Sequence, residues 1–194
     1  MNNLVQLFGK HAATPDVALS ETALTAASSR PFPPSLREIA VQMMNEAERH
    51  RVKVAVLLMD VRQISGVADV PEPERLEQSI ESALRSCLRG SDAVIRYSEH
   101  ELVILLPRMS SAQDIALTVE RIFERATATC RIDEHSVSFS TNVGIAIFPD
   151  HGRTADALLD HARSEMELAI ANGQNSYRIF GLVTPDQQSP GLRL

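Results

Sequence analysis

Three apolar runs restrict most strongly what this chain can fold into: KVAVLLMD at 53–60, ELVILLP at 101–107 and SVSFSTNVGIAIF at 136–148. None is long enough to cross a bilayer. Their lengths and their Val, Ile and Phe content suit β-strands, and in the third Val137, Phe139, Thr141, Val143, Ile145 and Ile147 alternate with smaller residues. A shorter run, AVIRY at 93–97, is joined to the second by the polar stretch Ser98, Glu99, His100 and Glu101, which reads as a hairpin turn. Tight hairpin turns favour glycine, asparagine or aspartate, and this one has none of them.

Apolar residues at helical spacing fill the segments around these runs. Leu36, Ile39, Ala40, Met43, Met44 and Ala47 form one stripe, and Leu76, Ile80, Ala83, Leu84, Cys87 and Leu88 form another. Ile115, Val119, Ile122, Phe123 and Ala126 give a third, and Leu158, Leu159, Ala162, Met166, Ala169 and Ile170 a fourth. YRIF at 177–180 adds a short last strand. The order predicts an α+β fold: a βαββαβ core with a mixed central sheet flanked by helices and an extra N-terminal helix, similar to the ferredoxin-like palm of nucleotide cyclases and polymerases. Residues 1–20 and 182–194 are predicted to be tails around one domain at 21–181.

Hydrophobic residues make up 44% of the 194, enough for one substantial core. A formal charge of -6 without a basic cluster argues against a nucleic-acid partner. Cys87 and Cys130 fall inside apolar patterns, which predicts buried thiols in a reducing cytosol rather than a disulfide or zinc site. With no charged leader and no transmembrane run, a cytoplasmic location is expected.

Four stretches resemble, in order, those of the GGDEF domain, the catalytic domain of bacterial diguanylate cyclases. ALTAASSRPF is similar to the opening DxLTGLxNRxxF segment, keeping Leu24, Thr25, Arg30 and Phe32, and LLMDVRQISGVAD is similar to DxDxFKxxND, keeping Asp60 and Asp69. STNVGIAIFPDHG resembles the SxGxAxxP strand, and ARSEMELAIANGQN the ADxAMYxAKxxGRN helix, so the resemblance covers roughly residues 22 to 180. In that register SEHEL stands at the signature: Ser98, Glu99, His100 and Leu102 depart from Gly-Gly-Asp-Glu-Phe, and Glu101 is kept.

The family joins two GTP molecules with the help of magnesium, and the resemblance implies where that chemistry is missing. Asp60 stands at a metal-carboxylate position, but His100 takes the place of the second acid, and imidazole is a poor ligand for magnesium. Glu99 puts a bulky anion where glycine would let the backbone approach the nucleotide. Ile170 and Gln174 replace the lysine and arginine that neutralise phosphates, Ala68 replaces a guanine-contacting asparagine, and Ser65 replaces a lysine. Glu77 is the nearest candidate for a second guanine-contacting acid. The implied outcome is a degenerate domain with no catalytic residues, no metal and no cofactor.

A second site of the family, which binds cyclic di-GMP through Arg-x-x-Asp ending five residues before the signature, is kept in register. RGSD, Arg89 to Asp92, is followed by AVIRY and then SEHEL, and Arg121 falls where a neighbouring helix completes that site. Arginine can grip a guanine edge or a phosphate, and aspartate can accept from guanine N1 and N2. RTAD at 153–156 has the same pattern without that context. The bland alternative makes Arg89 a helix-end cation and Asp92 a turn cap. The expected function is a non-catalytic cyclic di-GMP receptor acting through Arg89, Asp92 and Arg121. No sensor or output domain is recognisable, so a protein partner is expected, and the ligand's habit of bridging two such domains leaves room for a homodimer. Two alternatives are a nucleotide-free interaction scaffold and a residual GTP-binding or weakly active cyclase resting on Asp60 and Glu101.

Overall fold

The computed structural model describes residues 31–65, 73–128, 130–132, 135–173 and 175–181. The expected tails at 1–20 and 182–194, together with Leu24, Thr25, Arg30, Ala68, Asp69 and Gln174, lie outside the described residues. In chain order the elements are α1 (Pro34–His50), β1 (Lys53–Ser65), α2 (Pro73–Arg85), β2 (Ala93–Arg96), β3 (Glu101–Met109), α3 (Ala112–Thr127), β4 (Cys130–Ile132), β5 (His135–Phe148), α4 (Ala155–Ala171) and β6 (Ser176–Ile179). The sheet runs β2-β3-β1-β5-β4, with β6 parallel to β5 and every other pairing antiparallel. This is the mixed sheet of the expected α+β plan.

Because side chains alternate across a strand, β1 feeds two cores. Ala55, Leu57, Met59 and Val61 join Leu84 of α2 and Ile115, Val119, Ile122 and Phe123 of α3 on one face. Val54, Val56 and Leu58 join Leu36, Ala40, Met44 and Ala47 of α1 and Leu158, Leu159, Ala162 and Met166 of α4 on the other. Helix starts follow local chemistry. Ser111 accepts the Asp114 N–H at 3.1 Å, Thr154 accepts the Ala157 N–H at 3.2 Å, and Pro34 opens α1, where a missing N–H costs nothing.

Four expectations need correction. The second stripe does not run as one helix: α2 stops at Arg85, and Cys87 and Leu88 donate their N–H groups three residues back in a tightened turn. Cys87 is therefore half-buried rather than a core thiol, while the Cys130 side chain lies outside the described ones. Ile170 is 37% exposed, so the fourth stripe ends at Ala169. Asp60 does not end its strand, because β1 continues to Ser65. β4, which no periodicity announced, is three residues long and forms through pairing with β5.

The hairpin turn also does without glycine. Among the described residues positive φ occurs at Arg51, Arg108, Asn175, Gly173 and Gly181, and at none of Ser98, Glu99 and His100. The Tyr97 and Ser98 N–H groups both bond to the Glu101 carbonyl, at 2.9 and 3.2 Å, closing a turn wide enough for ordinary residues.

Close approach of α4 to β5 depends on Gly144. A Cβ there would lie 1.8 Å from the Ala162 carbonyl oxygen and 2.2 Å from the Met166 nitrogen. Gly144→Ala is expected to lower stability by about 3 kcal/mol or more, since helix and sheet must separate along the contact; urea melts of the purified variant check this.

His151, just after β5, accepts the Ile147 N–H through Nδ1 at 3.1 Å, and its carbonyl lies 2.8 Å from Nδ1 of His161. Burial lowers the His151 pKa from 6.5, the nearby Asp150 opposes this, and His161 and Lys53 add to it. The unfolded chain therefore takes up the proton first, so stability is full above pH 6.5 and falls as pH drops toward the folded-state value. His151→Gln is expected to flatten this acid-side loss, read from thermal melts between about pH 5 and 7.

Candidate functional site

The hairpin side of the molecule is built on β1 and β3. Asp60 and Glu101 are directly opposed in register across these strands, and both continue the face that carries α1 and α4. Asp60 is 3% exposed, and both its carboxylate oxygens accept from Arg62 Nε, at 3.1 and 2.8 Å. The carboxylate holds the Arg62 pKa above its usual value through the hydrogen bond and its charge, with Glu101 adding to the effect. Glu101 accepts the Ser98 hydroxyl at 2.9 Å. Glu99 and His100 are exposed and separated by 4.0 Å, a contact worth little in water.

Behind the turn, Tyr97 accepts from Arg163 Nη2 at 2.9 Å, and the Arg163 guanidinium lies 3.9 Å from the Phe32 ring centre. Burial raises the Glu167 pKa, Arg163 counteracts this, and Glu101 raises it further, so charges of both signs crowd this end of α4. Ile170, on the same helix, offers no charge here.

The Arg-x-x-Asp segment lies on the opposite face, in the turn between α2 and β2. Arg89 and Arg121 of α3 line one open cleft of about 570 Å³ together with Cys87, Leu88, Glu124 and Arg125. That volume is in the range of small-molecule sites. Asp92 is not among the residues that line the cleft: its Oδ2 accepts the Arg89 N–H at 2.8 Å, and its own N–H bonds to the Arg89 carbonyl at 3.0 Å. The structure thus brings Arg89 and Arg121 together and gives Asp92 a turn-holding role besides any ligand contact. Burial raises the Cys87 pKa, while Arg121 and Arg125 pull it down, which places both cations near the thiol.

Residues 35–176 match the family model described as Diguanylate cyclase, GGDEF domain. The chain belongs to the GGDEF domain family. It is 30% identical over 146 residues to the diguanylate cyclase TpbB of Pseudomonas aeruginosa, covering 73% of this chain and 34% of that protein. To the bifunctional diguanylate cyclase/cyclic di-GMP phosphodiesterase MucR of the same organism it is 29% identical over 142 residues, covering 72% of this chain and 21% of MucR. The chain thus spans about a third or less of these relatives. The crystal structure of the TpbB GGDEF domain superposes with a TM-score of 0.65 at 26% identity, covering 79% of this chain and 98% of that one. This GGDEF domain is accordingly related to proteins of cyclic di-GMP signalling. No helix among the described residues is long and apolar enough to cross a membrane.

Two features escaped sequence reasoning. Arg62 was legible in principle, since residues i and i+2 of a strand share a face and an arginine two places from a buried acid is its natural partner. Arg125 follows Arg121 by one helical turn, so both reach the same cleft. Asp92→Ala is expected to cost about 1 kcal/mol in urea melts by freeing the Arg89 N–H, and Asp92→Asn to recover most of it through the retained carbonyl oxygen.

Proposed function

We propose that this GGDEF domain is a catalytically inactive receptor for cyclic di-GMP that passes occupancy to a protein partner. The observation that carries the reading is the cleft in which Arg89 and Arg121 converge from separate elements, with Asp92 fixing the turn beneath them. Two guanidinium forks in one cleft suit a ligand with phosphates and guanine edges, which arginine engages bidentately or by stacking. Arg125 supplies a third cation, and Glu124 limits how anionic a ligand the cleft accepts.

The inactive half of the reading rests on the hairpin. Ser98, Glu99, His100 and Glu101 stand in place of the signature, Glu101 is bonded within its own turn, and Asp60 is bonded to Arg62. Exposed Ile170 brings no positive charge to a triphosphate.

Titration calorimetry with cyclic di-GMP is expected to give an affinity near micromolar, about -8 kcal/mol. Arg89→Ala and Arg121→Ala should each weaken it at least about tenfold, roughly 1.4 kcal/mol, and Arg125→Ala by less. Unchanged affinity in Arg89→Ala would place the ligand elsewhere, and release of pyrophosphate from GTP and magnesium by the wild type would overturn the inactive reading.

A further inference from the structure

Family chemistry calls for magnesium beside Asp60, and the side chains around it do not fit one. Magnesium takes about six oxygens at short range and requires near-octahedral geometry. Both Asp60 oxygens already accept from Arg62 Nε, Glu101 is engaged by the Ser98 hydroxyl, and the His100 carbonyl takes the Val61 N–H at 2.8 Å. A buried ionised carboxylate is costly unless paired, and the 61%-exposed Arg62 side chain supplies the pairing charge from the solvent side.

We propose that Arg62 is a built-in cation standing in the place of the divalent metal, so that its guanidinium satisfies Asp60 and excludes magnesium and manganese from this end of β1. For a metal to bind, the guanidinium must leave a buried carboxylate whose cross-strand neighbours are Glu101 and Asn142, and a displaced arginine would still repel the incoming ion at short range. The exclusion is a property of one side chain. It follows that restoring Gly-Gly-Asp-Glu-Phe at 98–102 does not restore metal binding while Arg62 remains.

This inference concerns the hairpin side and is independent of any ligand at the Arg89 cleft. The test is manganese binding, followed by loss of the free-ion paramagnetic resonance signal, with the full chain and no nucleotide. The wild type is expected to leave the signal intact up to about 1 mM metal. Arg62→Gln, which can still hydrogen-bond to Asp60, and Arg62→Asp are expected to bind manganese at least about tenfold more tightly than the wild type. Arg62→Lys keeps the charge and should exclude it, and adding Asp60→Asn to Arg62→Gln should abolish the gain. Circular dichroism shows which variants are folded. Wild-type binding that disappears in Asp60→Asn overturns the proposal, and so does a folded Arg62→Gln protein that gains nothing. Cyclic di-GMP affinity measured on the same variants is expected to be unchanged, which separates this result from the receptor reading.

Discussion

Pairing of β1 with β3 on one side and β5 on the other places every other element of this domain. β1 exchanges backbone bonds along most of its length with both neighbours, and its alternate side chains enter both cores. A strand so enclosed can carry a polar group only where a partner is supplied, because an unpaired buried charge costs several kcal/mol. Asp60 is that group, and Arg62 is its partner two residues further on. The same pleat that makes Leu57 and Met59 core residues of one layer sends Asp60 and Arg62 to the other.

The pleat also keeps the two sites apart. Arg89 and Arg121 belong to the α2–α3 layer, whereas Asp60, Arg62, Glu101 and the Arg163–Tyr97 contact belong to the α1–α4 layer. β2 links the two layers along the chain, following Asp92 at one end and leading into Tyr97 at the other.

Much of this was legible in the chain because the relevant patterns are long. The stripe Ile115, Val119, Ile122, Phe123 and Ala126 is buried in full, and so is the alternating set from Val137 to Ile147. Boundaries were less legible. Leu84, Cys87 and Leu88 continue a helical spacing, yet tightened turn bonds after Arg85 turn the thiol into the cleft wall. β4 is too short to show a period and exists through its neighbour. Arg89 and Arg121 were named as a pair through the family resemblance, and both line one cleft. Asp92 was legible as a turn cap, and its bond to the Arg89 N–H is that role, but the atoms it would join were not, because a motif names residue types and leaves open which atoms already have partners.

That distinction decides how a retained acid should be read. An aspartate kept at a metal position is commonly taken as a remnant of metal binding, but a carboxylate that is 3% exposed is constrained first by its own desolvation. It can be satisfied by a metal, by a proton or by an adjacent guanidinium, and the strand geometry here provides the last of these at 2.8 Å. Once it does, the acid contributes to the fold whether or not any ion is present. Removing Asp60 alone would then leave Arg62 in water at little cost, while removing Arg62 alone would leave the buried charge unpaired. The asymmetry makes Arg62 the residue on which this end of the strand depends.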